Sequence, residues 1–204
     1  MDTIWLAGFF APGEPGYYVL VGAFLLALVG LFLWGNTHRE KDSRAEELQR
    51  RYRVLNREQL AEIPDAELVE AVVANVMAKA DPKSPDMYYL MAELSLGRRV
   101  IYSVWLMSKE LEKASFEEVL QGRTAAFLEL SVEGFEQIGA SGCAAAVRGV
   151  ETAEDEEARA QLHADFLEAA VLEEPLAKCV SYIRDNAEDF CDVSEERPEG
   201  DRSL

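Results

Sequence analysis

Acid–base, nucleophilic or metal chemistry in this chain would have to come from two histidines, three cysteines and 38 carboxylates. Their spacing rules most of it out. A general base needs a positioned partner within hydrogen-bond reach, which sequence does not show for His38, beside the apolar segment, or for His163, inside a helix; both read as ordinary histidines. No Cys/His spacing fits zinc, no E-x-x-H suggests a di-iron bundle, and no EF-hand loop occurs among the acids. A phosphate-binding glycine loop and a G-x-S-x-G elbow are absent as well. Cys143, Cys179 and Cys191 are odd in number and contain no C-x-x-C pair, so they make no disulfide framework. Free thiols are usually buried. These residues predict a non-enzymatic chain with no catalytic, cofactor or metal site.

What the carboxylates can do is present charge. The net charge is −18, and it is unevenly placed. Residues 129–204 hold 20 acidic against 6 basic side chains, whereas residues 36–57 hold 7 basic against 4 acidic. At helical spacing Glu129, Glu133 and Glu136 share a face. Glu154, Glu157, Asp165 and Glu168 share another, with Gln161 filling the gap, and Asp185, Glu188, Asp189 and Asp192 form a third cluster. An acidic face can simply solvate a protein, or it can imitate nucleic acid before a basic partner. Duplex DNA carries one charge per about 1.7 Å of axis, and a helix with an acid every three or four residues carries one per roughly 5 Å. Two or three such faces side by side would be needed to match it.

The elements that must position these residues are helices, because apolar residues recur at helical spacing between Gly and Pro breaks. After a charged stretch, Pro64-Asp65 opens one helix, "DPKSP" ends it, and a long apolar segment follows with an interruption near Gly97. Ser115 and Glu118 fit a capping box. A helix over Thr124–Ile138 presents Phe127, Leu128, Phe135 and Ile138 on one side and closes at Gly139. Another spans about Glu154–Leu172, burying Leu162, Phe166 and Ala170, with Thr152 and Asp155 as a weaker cap. After Pro175, the residues Leu176, Cys179, Val180, Ile183, Ala187 and Phe190 fall on one stripe. No repeat of solenoid length is visible.

Tyr17 to Trp34, "YYVLVGAFLLALVGLFLW", contains no charged residue. As a helix it is about 27 Å long, against a hydrocarbon core of about 30 Å, and aromatic rings stand at both ends. It lacks the basic n-region, short core and small-residue cleavage site of a signal peptide. Seven Lys and Arg residues follow it within 36–57 and none precedes it, which puts the N-terminus outside and the rest in the cytoplasm. The expected organisation is a short extracytoplasmic segment 1–16, a transmembrane helix 17–35, a charged juxtamembrane helix 36–62, an acidic helical domain 63–192 and a disordered tail 193–204. The fold class is all-α: a single-pass anchor followed by a cytoplasmic helical bundle.

"SKELEKASFEEVLQG", residues 108–122, lies between two apolar runs. With its surroundings, about residues 98–150, it resembles the helical family of bacterial DNA-mimic proteins. Members show an apolar helix, then E-V-N-N-G-G-F-x-Q-Y-F, then a helix ending in I-G-A. Glu110 and Leu111 stand at the E-V positions, Phe116 at the F, and Ile138-Gly139-Ala140 at the final triplet. Glu112, Lys113, Ala114 and Ser115 replace N-N-G-G, Glu118 replaces the Gln, and Val119-Leu120 replace the Tyr-Phe pair. Glu110, Phe116, Glu118 and Gly139 are thus what remains of the motif, with the turn re-formed by the Ser115 cap. The resemblance implies a helical, acidic protein that binds DNA-binding proteins.

Two readings of function follow. In the first, a membrane-anchored cytoplasmic domain binds a basic, DNA-binding protein partner through Glu129, Glu133, Glu136, Glu154, Glu157, Asp165, Glu168, Asp185, Glu188 and Asp189, without touching nucleic acid itself. In the alternative, the chain is a non-catalytic accessory subunit of a membrane complex, assembled through its anchor and juxtamembrane helix.

Overall fold

The computed structural model describes residues 44–80 and 87–192. The expected membrane helix 17–35, the segment 1–16 before it and the tail 193–204 lie outside the described residues. Among the described residues there is no strand, and no helix is long and apolar enough to cross a membrane. The all-α expectation therefore holds for the domain. The chain divides at Glu47/Leu48. Residues 44–47 are helical, and everything below concerns the unit that begins at Leu48.

The charged stretch expected as one helix over 36–62 is interrupted in its described part. Residues 48–51 are helical, residues 52–56 are not, and α1 then runs Arg57–Glu62. The break has a local cause. Tyr52 and Leu55 are 4% and 0% exposed, so the chain turns inward to bury them. The Asn56 side chain then accepts from the Gln59 amide while Gln59 reaches back to the Asn56 amide, which starts a new helix. Helix α2, Asp65–Ala78, follows Pro64. Its four valines, Val69, Val72, Val73 and Val76, are all buried. β-Branched residues are indifferent helix formers, so packing rather than propensity holds α2 together.

The remaining helices are α3 (Met87–Glu93), α4 (Leu96–Leu111), α5 (Phe116–Gln121), α6 (Leu128–Gln137), α7 (Ser141–Gly149), α8 (Glu156–Glu173) and α9 (Pro175–Asp185). Short 3-10 turns cover Arg123–Phe127, Val150–Thr152 and Ala187–Phe190. The interruption expected near Gly97 falls just before Ser95, which caps α4 through the Arg98 amide. Gly97 sits inside α4, where a Cβ would stand 2.8 Å from both Asp189 Cβ and the Phe190 ring. The helix expected over Thr124–Ile138 is split. Phe127 ends the 3-10 turn with its ring 6.0 Å from those of Tyr88 and Tyr102, and α6 begins only at Leu128.

Helix α4 is central. It packs against α2, α6 and α9 and against the Ala187–Phe190 turn, while α6 packs on α7, α7 on α8, and α5 on α8. The α4–α6 approach is close because Gly134 has no side chain: a Cβ there would lie 2.7 Å from Ser103 Oγ and 2.9 Å from Val104 Cγ2. A column of aromatic rings ties α5, α6 and α8 together, with Phe116–Phe166 and Phe135–Phe166 centroids 6.2 and 5.7 Å apart in edge-to-face geometry. Each is essentially fully buried, a burial that contributes roughly 1.5–3 kcal/mol per ring.

Candidate functional site

The acidic positions singled out in the sequence are distributed as follows. Glu129 and Glu133 are exposed on α6, and Glu136 beside them is paired with Arg148 of α7. Helix α7 packs on both α6 and α8, so a helix carrying an exposed cation lies between the two acidic rows. Glu154, Glu157, Asp165 and Glu168 are exposed at the start and along the outside of α8. The Gln161 amide donates to Asp165 at 2.8 Å. The third group sits at the end of α9, packed near α1 and α4. There Asp185 is exposed, Glu188 pairs with Arg57 at 2.8 Å, and Asp189 is half-buried. The structure thus brings the α6 and α8 rows to either side of α7 and sets the Asp185–Asp189 group beside α1.

The motif segment 108–122 comprises the last turn of α4, a turn over 112–115 and α5. The Glu110 carbonyl closes the end of α4 by accepting the Ala114 amide at 2.9 Å. The Ser115 amide donates to the Glu118 carboxylate at 2.8 Å, and the Glu118 amide donates to Ser115 Oγ at 3.3 Å. The Ser115 amide and hydroxyl hold the Glu118 carboxyl below its usual range. Phe116 is fully buried, edge-to-face with the His163 ring at 5.9 Å. His163 Nε2 in turn lies 2.9 Å from the Leu111 carbonyl. Gly139 takes φ +75°, and the Ala140 and Gly139 amides reach back to the Phe135 and Glu136 carbonyls, closing α6 with a Schellman motif. The capping box and the glycine stop are where sequence placed them, and all of these residues do structural work.

Cys143, Cys179 and Cys191 are free, the first two buried. Burial, with help from Glu173, pushes the Cys143 thiol up to about 12, and burial alone takes Cys179 to about 12. Glu173 is occupied in capping α7, accepting from the Gly142 and Cys143 amides at 2.8 and 3.1 Å. Among the described residues, no group of three or more His, Cys, Asp and Glu side chains is placed to hold a metal ion.

Sequence reasoning missed the most elaborate polar cluster in the domain. Arg98, on α4, donates to Asn75 on α2, to the Phe190 carbonyl at 2.7 Å and to Asp192 at 2.8 Å. Asp192 also receives Lys79 at 2.7 Å, the Asn75 amide at 3.0 Å and the Leu55 backbone amide at 2.8 Å. Burial pushes the Asp192 carboxyl up, but the hydrogen bonds from Lys79, Leu55 and Asn75, with the charge of Arg98, outweigh it and hold the group low. Burial pushes the Arg98 guanidinium down, and Asp192 opposes this. The residue grouped in sequence with an acidic surface is therefore a clasp joining four segments of the chain. Its partners are up to 137 positions apart, so no local pattern pointed to it.

A family model described as DMP19-like protein matches residues 92–199, more than half of the chain, and the chain belongs to that family. The matched region contains the 108–122 segment and both acidic rows, in keeping with the DNA-mimic resemblance read from the motif. It is not a known family of enzymes. No curated protein and no solved structure matches the chain.

Proposed function

We propose that this member of the DMP19-like family binds a basic, DNA-binding protein through the acidic rows on α6 and α8. The observation that carries the reading is that Glu129, Glu133, Glu154, Glu157, Asp165 and Glu168 are all exposed and have no cation partner among the described residues. Unpaired surface carboxylates keep their field outside the protein, where it steers a cationic partner and falls off with salt. The family supports an interaction role of the DNA-mimic kind.

The Tyr17–Trp34 segment and the basic flank after it support a membrane-anchored location with this domain in the cytoplasm. A partner would then be recruited to the membrane surface.

The test uses the full-length chain, extracted in detergent and immobilised. DNA-binding proteins captured by the wild type should be released by salt and displaced by added duplex DNA, since the acidic rows and DNA would occupy the same basic surface. Replacing Glu129, Glu133, Glu157, Asp165 and Glu168 with Gln or Asn should abolish that capture. An unchanged set of captured proteins, or one that duplex DNA does not displace, would sink the proposal. Partners that are integral membrane proteins, held only while residues 1–57 are native, would favour the accessory-subunit reading instead.

A further inference from the structure

Charge density alone does not account for the outer face of α8. From Glu157 to Glu168 the helix advances about 16 Å and shows three carboxylates, Glu157, Asp165 and Glu168. That is far sparser than the one charge per about 1.7 Å of duplex DNA. Beside that row runs a second one of different chemistry. At 100° per residue Ala160, Ala164, Leu167 and Val171 fall on one line, adjacent to the line of Glu157, Gln161, Asp165 and Glu168, and all eight are exposed. Leu167, Val171 and the neighbouring Leu172 are 41%, 77% and 76% exposed. A surface that only imitates phosphates has no use for them.

The apolar row leads into a groove of about 360 Å³ between α8, the start of α9 and the end of α4. Phe166, Leu167 and Leu176 supply its apolar lining, and the charged residues lining it, Glu112 and Glu174, are both acidic. Lys109 holds Glu112 at 2.9 Å. Ser108 also lines the groove. Ser108 is 5% exposed, and its oxygen has no hydrogen-bond partner among the described residues.

We infer that the outer face of α8 and this groove dock a basic amphipathic helix of the partner protein. The occupant's apolar side lies on Ala164, Leu167 and Val171, one of its side chains enters the groove, and its Lys or Arg residues meet Glu157, Asp165, Glu168 and Glu174. The acids select among occupants. A second copy of this chain laid on the same face would set carboxylate rows against each other, and an anionic lipid surface would be repelled. A cationic helix with apolar residues at i, i+3 or i+4 and i+7 fits both rows at once. The inference rests on the acidic-face reading and adds a contribution that salt cannot screen.

The probe is a synthetic Leu/Ala/Lys peptide of about 18 residues, five turns, patterned with one apolar face, against a scrambled peptide of the same composition. Binding to the full-length chain in zwitterionic detergent is followed by fluorescence anisotropy from about 50 to about 500 mM salt, and the site by hydrogen–deuterium exchange. Protection over residues 160–177 is expected, as is patterned peptide binding about tenfold tighter than scrambled at high salt, a difference of about 1.4 kcal/mol. Leu167→Ser with Val171→Ser should erase that advantage, and Val171→Lys alone should weaken binding at every salt. Glu157→Gln, Asp165→Asn and Glu168→Gln together should weaken low-salt binding and flatten its salt dependence.

If the serine variant binds the patterned peptide as the wild type does, the apolar row is idle and this inference is overturned, while the acidic-face reading stands. If the charge variant binds unchanged at low salt, the acidic-face reading falls and takes this one with it. Protection elsewhere, or a sedimentation shift from dimer to monomer in the serine variant without a change in peptide binding, would also overturn it.

Discussion

At the scale of single residues, Arg98 and Asp192 show how much depends on one buried contact. Their side chains are 7% and 16% exposed, and Arg98 also satisfies two backbone carbonyls of the Asp189–Phe190 turn. Arg98→Met would leave the Phe190 carbonyl unpaired, the Asp189 carbonyl keeping the Ser95 hydroxyl, and is expected to cost about 3 kcal/mol, the low end for breaking a buried pair, because Lys79 still faces Asp192. Denaturant melts of the two proteins check it. The sign of the pH effect follows from the depressed Asp192 carboxyl. Its contribution is present above the unfolded value of about 3.9 and is lost as pH falls below that through the folded value. Asp192→Asn should therefore lower stability at neutral pH and flatten the acid limb of a stability–pH curve. An equally steep acid limb would show that other carboxylates govern it.

Among the elements, local rules carried the ends of helices well. The Ser115–Glu118 box and the Gly139 stop were legible because a cap is satisfied within three or four residues of itself. Ser115→Ala should lower stability by about 1 kcal/mol, and Gly139→Ala by roughly 1–2 kcal/mol, since the penalty of a left-handed residue is intrinsic to the backbone and the space around Gly139 is open. Thermal melts separate the two, and a loss well beyond these values at Ser115 would mean that the turn does more than join α4 to α5. Where sequence misplaced an element, a distant contact was responsible. The break over 52–56 follows from burying Tyr52 and Leu55, and the split at Phe127 accompanies its packing against Tyr88 and Tyr102. Neither neighbour can be read from the window that suggests a helix.

For the whole molecule, the governing quantity is charge. A net −18, concentrated beyond residue 129, repels itself in the folded state. Raising salt from about 50 to about 500 mM shortens the Debye length to a few ångströms and should raise the melting temperature of the full-length chain. The buried Arg98–Asp192 clasp is shielded from salt and should not offset this gain. A melting temperature that fell with salt would mean that surface ion pairs such as Arg57–Glu188 outweigh the repulsion.

Sequence by itself determined the helical class, the Ser115–Glu118 cap and the Gly139 stop, the apolar stripe of α9 through Cys179 and Ile183, the acidic rows and the kinship carried by about residues 98–150. Each is a pattern with a period of a few residues, written in the chain whatever the fold. The Thr152 cap did not form, since Asp155 itself caps α8, and the stripe breaks after Asp185, with Phe190 on a separate 3-10 turn. Tertiary structure decided which carboxylates remain free. Glu136 and Glu188 are paired, Asp192 is enclosed by α2, α4 and the Leu55 amide, and Glu157, Asp165 and Glu168 are left outward beside an exposed apolar row. A charge is spent or free according to what lies within about 4 Å of it, and those neighbours come from parts of the chain that only folding brings together.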